Sequence, residues 1–192
     1  QLFLPFIDLL KRHVTVFELS AEKDYRSDKL AGQELFHTGG GAAAAKAMDK
    51  VWARLTGGQD GAPGEIASLG RTIAVPRQAL GGARFGFADL CEKPLGARDY
   101  LRVANAFHTL VIDGVPQFDR TRSDMAKRFI LLVDTLYDRG VKLAASFAVP
   151  IDELGADDRT AFEFQRCRSR LTEMQSADYL SAPRKDPAGG AE

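Results

Sequence analysis

Two stretches of the chain carry a clear helical repeat of apolar residues. Over 121–139, one apolar face recurs at intervals of three and four residues: Met125, Phe129, Leu132, Val133 and Leu136. Thr121 with Asp124 fits a capping box at the start of this helix, and Gly140 fits its end. A second stripe predicts a last helix within 158–180: Phe164, Cys167, Leu171 and Met174.

Shorter patterns predict the remaining elements. Helical spacing is present at 2–11, 42–55 and 96–107, whereas a bias to β-branched and aromatic residues predicts strands at 14–19, on both sides of Gly70, at 83–90, at 109–112 and at 141–148. The segment 107–147 therefore consists of a strand, a helix and a second strand. A short connection of this kind gives a right-handed crossover between parallel strands.

The predicted class is α/β, with a parallel strand–helix–strand unit, a small antiparallel hairpin around 66–88 and a C-terminal helix. We divide the chain into a first segment, 1–30; a flexible linker with an alanine-rich helix, 31–65; a C-terminal α/β region, 66–180; and a disordered tail, 181–192.

Composition narrows the function classes without choosing one. The 192 residues include 26 basic and 26 acidic side chains, so overall charge gives no reason to expect nucleic acid. The two cysteines do not have metal-ligand spacing, and no apolar run approaches a membrane span. The chain begins with an apolar stretch and without methionine, which suggests that it was cut from something longer.

A strand that ends in a carboxylate, here at Asp113, is typical of the Mg²⁺ site of nucleotide-hydrolysing proteins. Such a site needs a phosphate-binding loop with the spacing G-x-x-x-x-G-K-[ST], and no stretch has it. The triple glycine before Lys46 has the wrong spacing and no strong strand before it, so a flexible linker is favoured. Gly114 replaces the usual catalytic Glu, which favours a turn-capping role for Asp113. Ser146 ends a later strand at a position where ATPases place a sensor residue, but a buried structural serine is favoured.

Arginines near the C-terminus are the better candidates for phosphate contacts. Arg166 and Arg170 share a helical face, and Arg128 lies four residues after Asp124. Guanidinium groups bind phosphate in planar, bidentate geometry. The alternative for each is a solvated face with local ion pairs. No arrangement of Ser, His and Asp or of a reactive Cys predicts nucleophilic catalysis.

Four long segments, in order, resemble the C-terminal part of the ZapE-type, or ATPase-family-gene-one-like, AAA+ P-loop ATPases. They are "LFLPFIDLLKRHVTVFEL…DYR", "RFGFADLCEKPLGARDYLRVANAFHTLVIDGVP", "AKRFILLVDTLYDRGVKLAASFAVP" and "FEFQRCRSRLTEMQSADYL". The resemblance covers 2–180 and is weakest between 27 and 65. Cys167 departs from the threonine more usual in "QRTxSRL".

The resemblance implies a protein that binds ATP and Mg²⁺ through motifs upstream of Gln1, so the isolated chain is expected not to hydrolyse ATP. Arg128, Arg166 and Arg170 become candidates for nucleotide or intersubunit contacts, with Arg26, Asp113, Asp134 and Ser146 as weaker ones. The implied partner is a protein of the FtsZ type in bacterial cell division, in the cytoplasm or at the division site, or a protein quality-control substrate in mitochondria; a homo-oligomer is plausible by analogy. The alternative is a stand-alone, non-catalytic interaction module.

Overall fold

The computed structural model describes residues 34–68, 70–156 and 158–185. Their six strands are β1 Phe36–Thr38, β2 Ala62–Ser68, β3 Arg71–Ala79, β4 Gly82–Gly86, β5 Thr109–Val115 and β6 Lys142–Phe147. The five α-helices are α1 Gly41–Thr56, α2 Ala97–Ala106, α3 Ser123–Arg139, α4 Asp158–Glu173 and α5 Ala177–Ser181. A π-helical turn, Ala88–Glu92, follows β4, and 3₁₀ turns lie at Arg120–Arg122 and Ile151–Glu153.

All six strands form one sheet in the order β1-β6-β5-β4-β3-β2. The first four of these pair in parallel, whereas β4, β3 and β2 pair antiparallel. The predicted α/β class, the parallel unit over 107–147 and the antiparallel element over 66–88 are therefore confirmed. The antiparallel element extends further toward the N-terminus than predicted, because β2 already begins at Ala62.

Helices cover both faces of the parallel part of the sheet. All six residues of β6 are buried, as expected for a strand with a layer on each side. Both α1 and α3 contact β6, and since β6 is buried on both faces, we place them on opposite sides of the sheet; α2 and α4 pack against α3. On the α3 side the core contains a group of aromatic rings with centroids between 4.9 and 6.5 Å apart: Phe87, Phe118, Phe129, Phe147 and Phe164.

The two helical stripes read from the sequence lie on the buried faces of α3 and α4, with Met125 of α3 half-buried at the edge of its face. In α4 the predicted Phe164, Cys167, Leu171 and Met174 are all buried. In α3 the predicted stop is also confirmed, since Gly140 ends the helix in the left-handed conformation at φ 66°.

The predicted capping box at the start of α3 is wrong. Asp119, not Thr121, is the capping residue, because its carboxylate accepts hydrogen bonds from the N–H groups of Thr121 and Arg122. These bonds begin a 3₁₀ turn that runs into α3 at Ser123. Asp124 therefore lies in the first turn of the helix, where a carboxylate favours the helix dipole.

A buried carboxylate joins the antiparallel hairpin to α2. The side chain of Asp99 is 3% exposed and accepts hydrogen bonds from Ser68 Oγ at 2.6 Å and from the Gly96 N–H at 2.9 Å. Arg71 on β3 forms an ion pair with the same carboxylate. Burial opposes ionisation of Asp99, but the hydrogen bonds from Ser68, Gly96 and Arg71 prevail and lower its pKa.

A buried lysine holds the segment after α4 against the sheet. Lys142 at the start of β6 is 7% exposed and donates hydrogen bonds to the carbonyls of Tyr179 and Ala182. Its ammonium also lies 4.7 Å from the centroid of the Tyr179 ring. These contacts fix the chain as far as Lys185, whose N–H donates to the Arg139 carbonyl.

The predicted helix at 2–11, the strand at 14–19 and most of the tail, from 186 onward, lie outside the described residues. Among the described helices, none is long and apolar enough to cross a membrane.

Candidate functional site

A cleft of about 390 Å³ opens at the C-terminal edge of the parallel strands. It lies between the ends of β1, β5 and β6 and the first turn of α1. The chain leaves β1 toward α1 on one face of the sheet, and leaves β6 toward α4 on the opposite face. Adjacent strands whose connections diverge in this way create a crevice, and ligands of open α/β sheets bind in such crevices.

The three consecutive glycines, Gly39 to Gly41, line this cleft. Gly39 and Gly41 have φ values of 107° and 76°, which residues with a side chain rarely adopt. The Gly39 N–H donates to the Phe147 carbonyl at 2.8 Å, so the loop is fastened to the end of β6. The sequence pattern favoured a flexible linker with no strong strand before it, whereas over 36–41 the structure has a strand of three residues, a glycine loop and the start of a helix in succession.

Asp113 lies in the cleft and is bound by an arginine that sequence reasoning missed. Arg84 on β4 donates from Nε to Asp113 Oδ2 at 2.6 Å and from Nη2 to Asp113 Oδ1 at 3.1 Å. Its Nη1 donates to Asp49 on α1, also at 2.6 Å. Burial opposes protonation of the Arg84 guanidinium, but the hydrogen bonds to the two carboxylates prevail and raise its pKa.

A local irregularity in the sheet positions Asp113 and Ser146. The register between β5 and β6 shifts between Ile112 and Val115, and Gly114 takes a φ of 75°. Its N–H then donates to Ser146 Oγ at 2.9 Å. Ser146 is 6% exposed and lines the cleft. Asp113 and Ser146, the two weaker candidates from the ends of β5 and β6, thus line the same cleft.

The residues of this cleft do not fit a bound Mg²⁺ with ATP hydrolysis. Both carboxylate oxygens of Asp113 accept from Arg84, and no group of three or more potential metal ligands occurs within the described ranges. Lys46, on the exposed surface of α1, is outside the cleft lining. The arrangement can contact a ligand through backbone N–H groups and a hydroxyl, but it presents no free carboxylate to hold a metal.

Two of the three arginine candidates bind Asp134 across the α3–α4 contact. Arg170 approaches Asp134 Oδ1 at 2.7 Å and Asp138 at 3.2 Å, and its guanidinium lies 4.7 Å from the centroid of the Tyr137 ring. Arg166 forms an ion pair with the other oxygen of Asp134. These contacts bring Arg166 and Arg170 of α4 next to Asp134 of α3, although α3 and α4 are far apart along the chain.

Arg128 stands apart from that group. Its Nη1 donates to the Cys91 carbonyl at 3.0 Å, at the end of the π-helical turn after β4. It also lines a shallow depression at the start of α3 together with Arg120 and Arg122. Arg26 lies outside the described residues.

The missed residues share one property: their roles depend on strand register. Arg84 and Asp113 are 29 positions apart and meet only because β4 and β5 pair in parallel, with Gly86 beside Asp113. The alternation of Phe85 and Phe87 identified the buried side of this strand, and Arg84 on the opposite side carried no motif. Asp49 also carried no motif, because it lies in a helix whose sequence is notable only for its alanines.

Comparison with known proteins identifies the class to which this fold and cleft belong. The model of the AFG1-like ATPase family matches residues 1–183. The chain belongs to the AFG1-like ATPase family, so the predicted resemblance is confirmed.

Individual relatives agree with this assignment. The chain is 39% identical over 181 residues to the cell division protein ZapE of Escherichia coli K12, an alignment that covers 93% of this chain and 48% of that protein. It is 30% identical over 213 residues to lactation elevated protein 1 homolog B of Danio rerio, covering 92% of this chain and 42% of that protein. The chain therefore spans about half the length of the curated relatives it matches. No solved structure matches it.

Proposed function

We propose that this chain is the C-terminal half of an AFG1-type ATPase, and that ATP hydrolysis requires the other half. The observation that carries the proposal is the occupied carboxylate in the cleft. Family membership supports an ATPase, but Asp113 is bound by Arg84, and the described residues that line the cleft beside the glycine loop include no lysine. The phosphates and the metal of the hydrolytic site are then held by residues outside 1–192.

In this proposal the protein acts on another protein during cell division. The name of the Escherichia coli relative supports a role in division, and the family resemblance suggests an FtsZ-type protein as the partner. The matching location is the bacterial cytoplasm at the division site. Self-association follows from the proposed AAA+-type organisation by analogy.

Arg128, Arg166 and Arg170 are proposed to contribute nucleotide or intersubunit contacts. Arg166 is the best candidate for this role. Its side chain is 69% exposed despite its ion pair with Asp134, so its guanidinium is accessible to a phosphate. Arg170 is 19% exposed and has a second carboxylate partner, Asp138, which makes it mainly a positioning residue for α4.

Steady-state ATP hydrolysis tests the proposal. Residues 1–192 alone should show no turnover, whereas the same residues joined to the N-terminal half of the Escherichia coli relative should hydrolyse ATP. In the joined protein Arg166→Ala should lower kcat by about tenfold or more, since one charged transition-state contact is lost. Arg168→Ala is the matched control on the same helix, because the Arg168 guanidinium donates to the Asp152 carbonyl at 2.9 Å and forms no ion pair with a carboxylate among the described residues.

The gene sequence upstream of the Gln1 codon provides a second test. An in-frame G-x-x-x-x-G-K-[ST] motif followed by an aspartate–glutamate strand end would support the ATPase. A stop codon and a start site immediately before Gln1 would contradict it and would favour the non-catalytic interaction module.

A further inference from the structure

We infer that the outer face of α3 and α4 is an interface between two copies of this chain, in which Phe162 of each copy packs into a groove of the other. The inference rests on the proposed self-association and names the surface that carries it, which the analogy with AAA+-type proteins does not do. Three features of this face support it: an apolar groove, an exposed aromatic ring beside the groove, and charges that a second copy complements.

An apolar groove of about 300 Å³ opens to solvent between α3 and α4. Its apolar lining comes from Ile130 and Leu131 of α3, which are half-buried. Charged side chains border it, namely Lys127 and Asp134 of α3 and Glu163 of α4. The four α3 residues recur at intervals of three and four, so they lie on one face of the helix. An apolar surface with a charged rim is typical of a protein–protein interface.

Phe162 of α4 provides an exposed aromatic ring at this groove. Its side chain directly precedes Glu163 and is 77% exposed. Among the described residues one other large apolar side chain is exposed, Leu80 on the turn between β3 and β4. Covering an exposed ring is favourable, and buried aromatic side chains contribute much of the binding energy of interfaces. Phe162 is therefore the side chain that a partner on this face buries.

The ion pairs between α3 and α4 fix the position of the ring. Arg166 pairs with Asp134, and Arg170, one turn later in α4, also pairs one turn later in α3. The two helices therefore run side by side in the same direction. Phe162 lies one turn before Arg166, and Ile130 lies one turn before Asp134, so the ring is level with the apolar part of the groove.

The face is self-complementary about a two-fold axis that runs parallel to the helices. Such an axis sets α3 of one copy against α4 of the other at the same level. Phe162 then covers Ile130 and Leu131 of the second copy, and Lys127 lies opposite Glu163, because both line the groove. A second copy supplies the ring and both charges by symmetry. With 26 basic and 26 acidic residues in each chain, net charge does not drive the copies apart.

Sedimentation equilibrium of residues 1–192 measures the association. We expect a reversible monomer–dimer equilibrium with a dissociation constant of about 100 μM or lower. Phe162→Gln should raise that constant about tenfold for each ring lost, and so about a hundredfold in a dimer that loses both. Leu80→Gln, which changes the other exposed apolar side chain, is the matched control and should dimerise as the unmodified chain does.

Two results would overturn the inference. One is a chain that stays monomeric at about 100 μM. The other is a dimer or larger assembly that Phe162→Gln leaves unchanged, which would show self-association through a different face. Because the assay contains no ATP, either result leaves the proposed ATPase function untouched.

Exchanging two charges distinguishes a second copy from any other occupant of the groove. Lys127→Glu sets two acidic side chains against each other and Glu163→Lys sets two basic ones, so each alone should weaken the dimer about fivefold or more. The double variant restores opposite charges and should dimerise within about twofold of the unmodified chain. A double variant as weak as the single ones would overturn the two-fold arrangement.

Discussion

Replacing Asp99 by Ala should destabilise the fold more than any surface charge change. Asp99 is the point at which the hairpin of β2 and β3 is joined to α2, through Ser68, Arg71 and the Gly96 N–H. Ser68 is only 1% exposed, and removing the carboxylate leaves its hydroxyl without an acceptor. It also leaves the N–H of Gly96, the N-cap of α2, without its acceptor.

The expected loss follows from these contacts. A hydrogen bond to a charged group contributes about 1.5–3 kcal/mol, and Asp99 accepts two such bonds, a buried one from Ser68 and a partly buried one from Gly96. Arg71 is 46% exposed, so solvent compensates for most of its lost ion pair. We therefore expect a loss of about 3–4 kcal/mol, which corresponds to a fall in Tm of roughly 6–16 °C for a domain of this size.

Urea unfolding followed by circular dichroism measures this loss, with Asp138→Ala as the control. Asp138 is 63% exposed and touches only the rim of the Arg170 ion pair, so its removal should cost about 0.5 kcal/mol or less. A loss below about 1 kcal/mol for Asp99→Ala, with an unchanged m value, would refute the reasoning that these buried bonds hold the hairpin to α2.

Three further predictions concern other buried groups. Folding lowers the pKa of Asp99, so its contribution to stability should be complete above the ordinary carboxyl range and lost as pH falls through the folded-state pKa. The free energy of unfolding of Asp99→Asn should therefore depend less on pH in the acid range than that of the unmodified chain. Equal slopes of unfolding free energy against pH in the two proteins would contradict this. Burial raises the pKa of Cys91 to about 12 and that of Cys167 further, so a thiol reagent at neutral pH should label neither until the protein unfolds, and rapid labelling of the native protein would contradict their burial. Lys142→Met should speed hydrogen exchange over 177–185, whereas the exposed control Lys127→Met should not; equal exchange would show that Lys142 does not fasten this segment.

The long periodic elements could be predicted from the sequence because their pattern is set by burial. In α3 the repeat that includes Phe129 and Leu136 marks the face that packs against β6. The apolar run Leu110–Ile112 predicts a strand that is covered on both sides, and these residues are buried. These patterns arise from the side chains of a single element, so reading them requires no knowledge of its neighbours.

The cleft could not be predicted because it depends on how elements meet. β1 has three residues, too few to show a period, and the glycines after it resemble a linker. Asp113 was correctly placed at a strand end, but its partner Arg84 is fixed only by the register of β4 against β5. The sequence pattern thus located the carboxylate, and the fold supplied the arginine that occupies it.

We propose that the hydrolytic residues of this ATPase-family protein lie outside residues 1–192. The most direct measurement is steady-state phosphate release from ATP and Mg²⁺ by purified residues 1–192, compared with the same residues joined to the N-terminal half of the Escherichia coli relative. Residues 1–192 should release phosphate at the background rate, and the joined protein should turn over ATP. Turnover by residues 1–192 alone, at a rate equal to that of the joined protein, would contradict it.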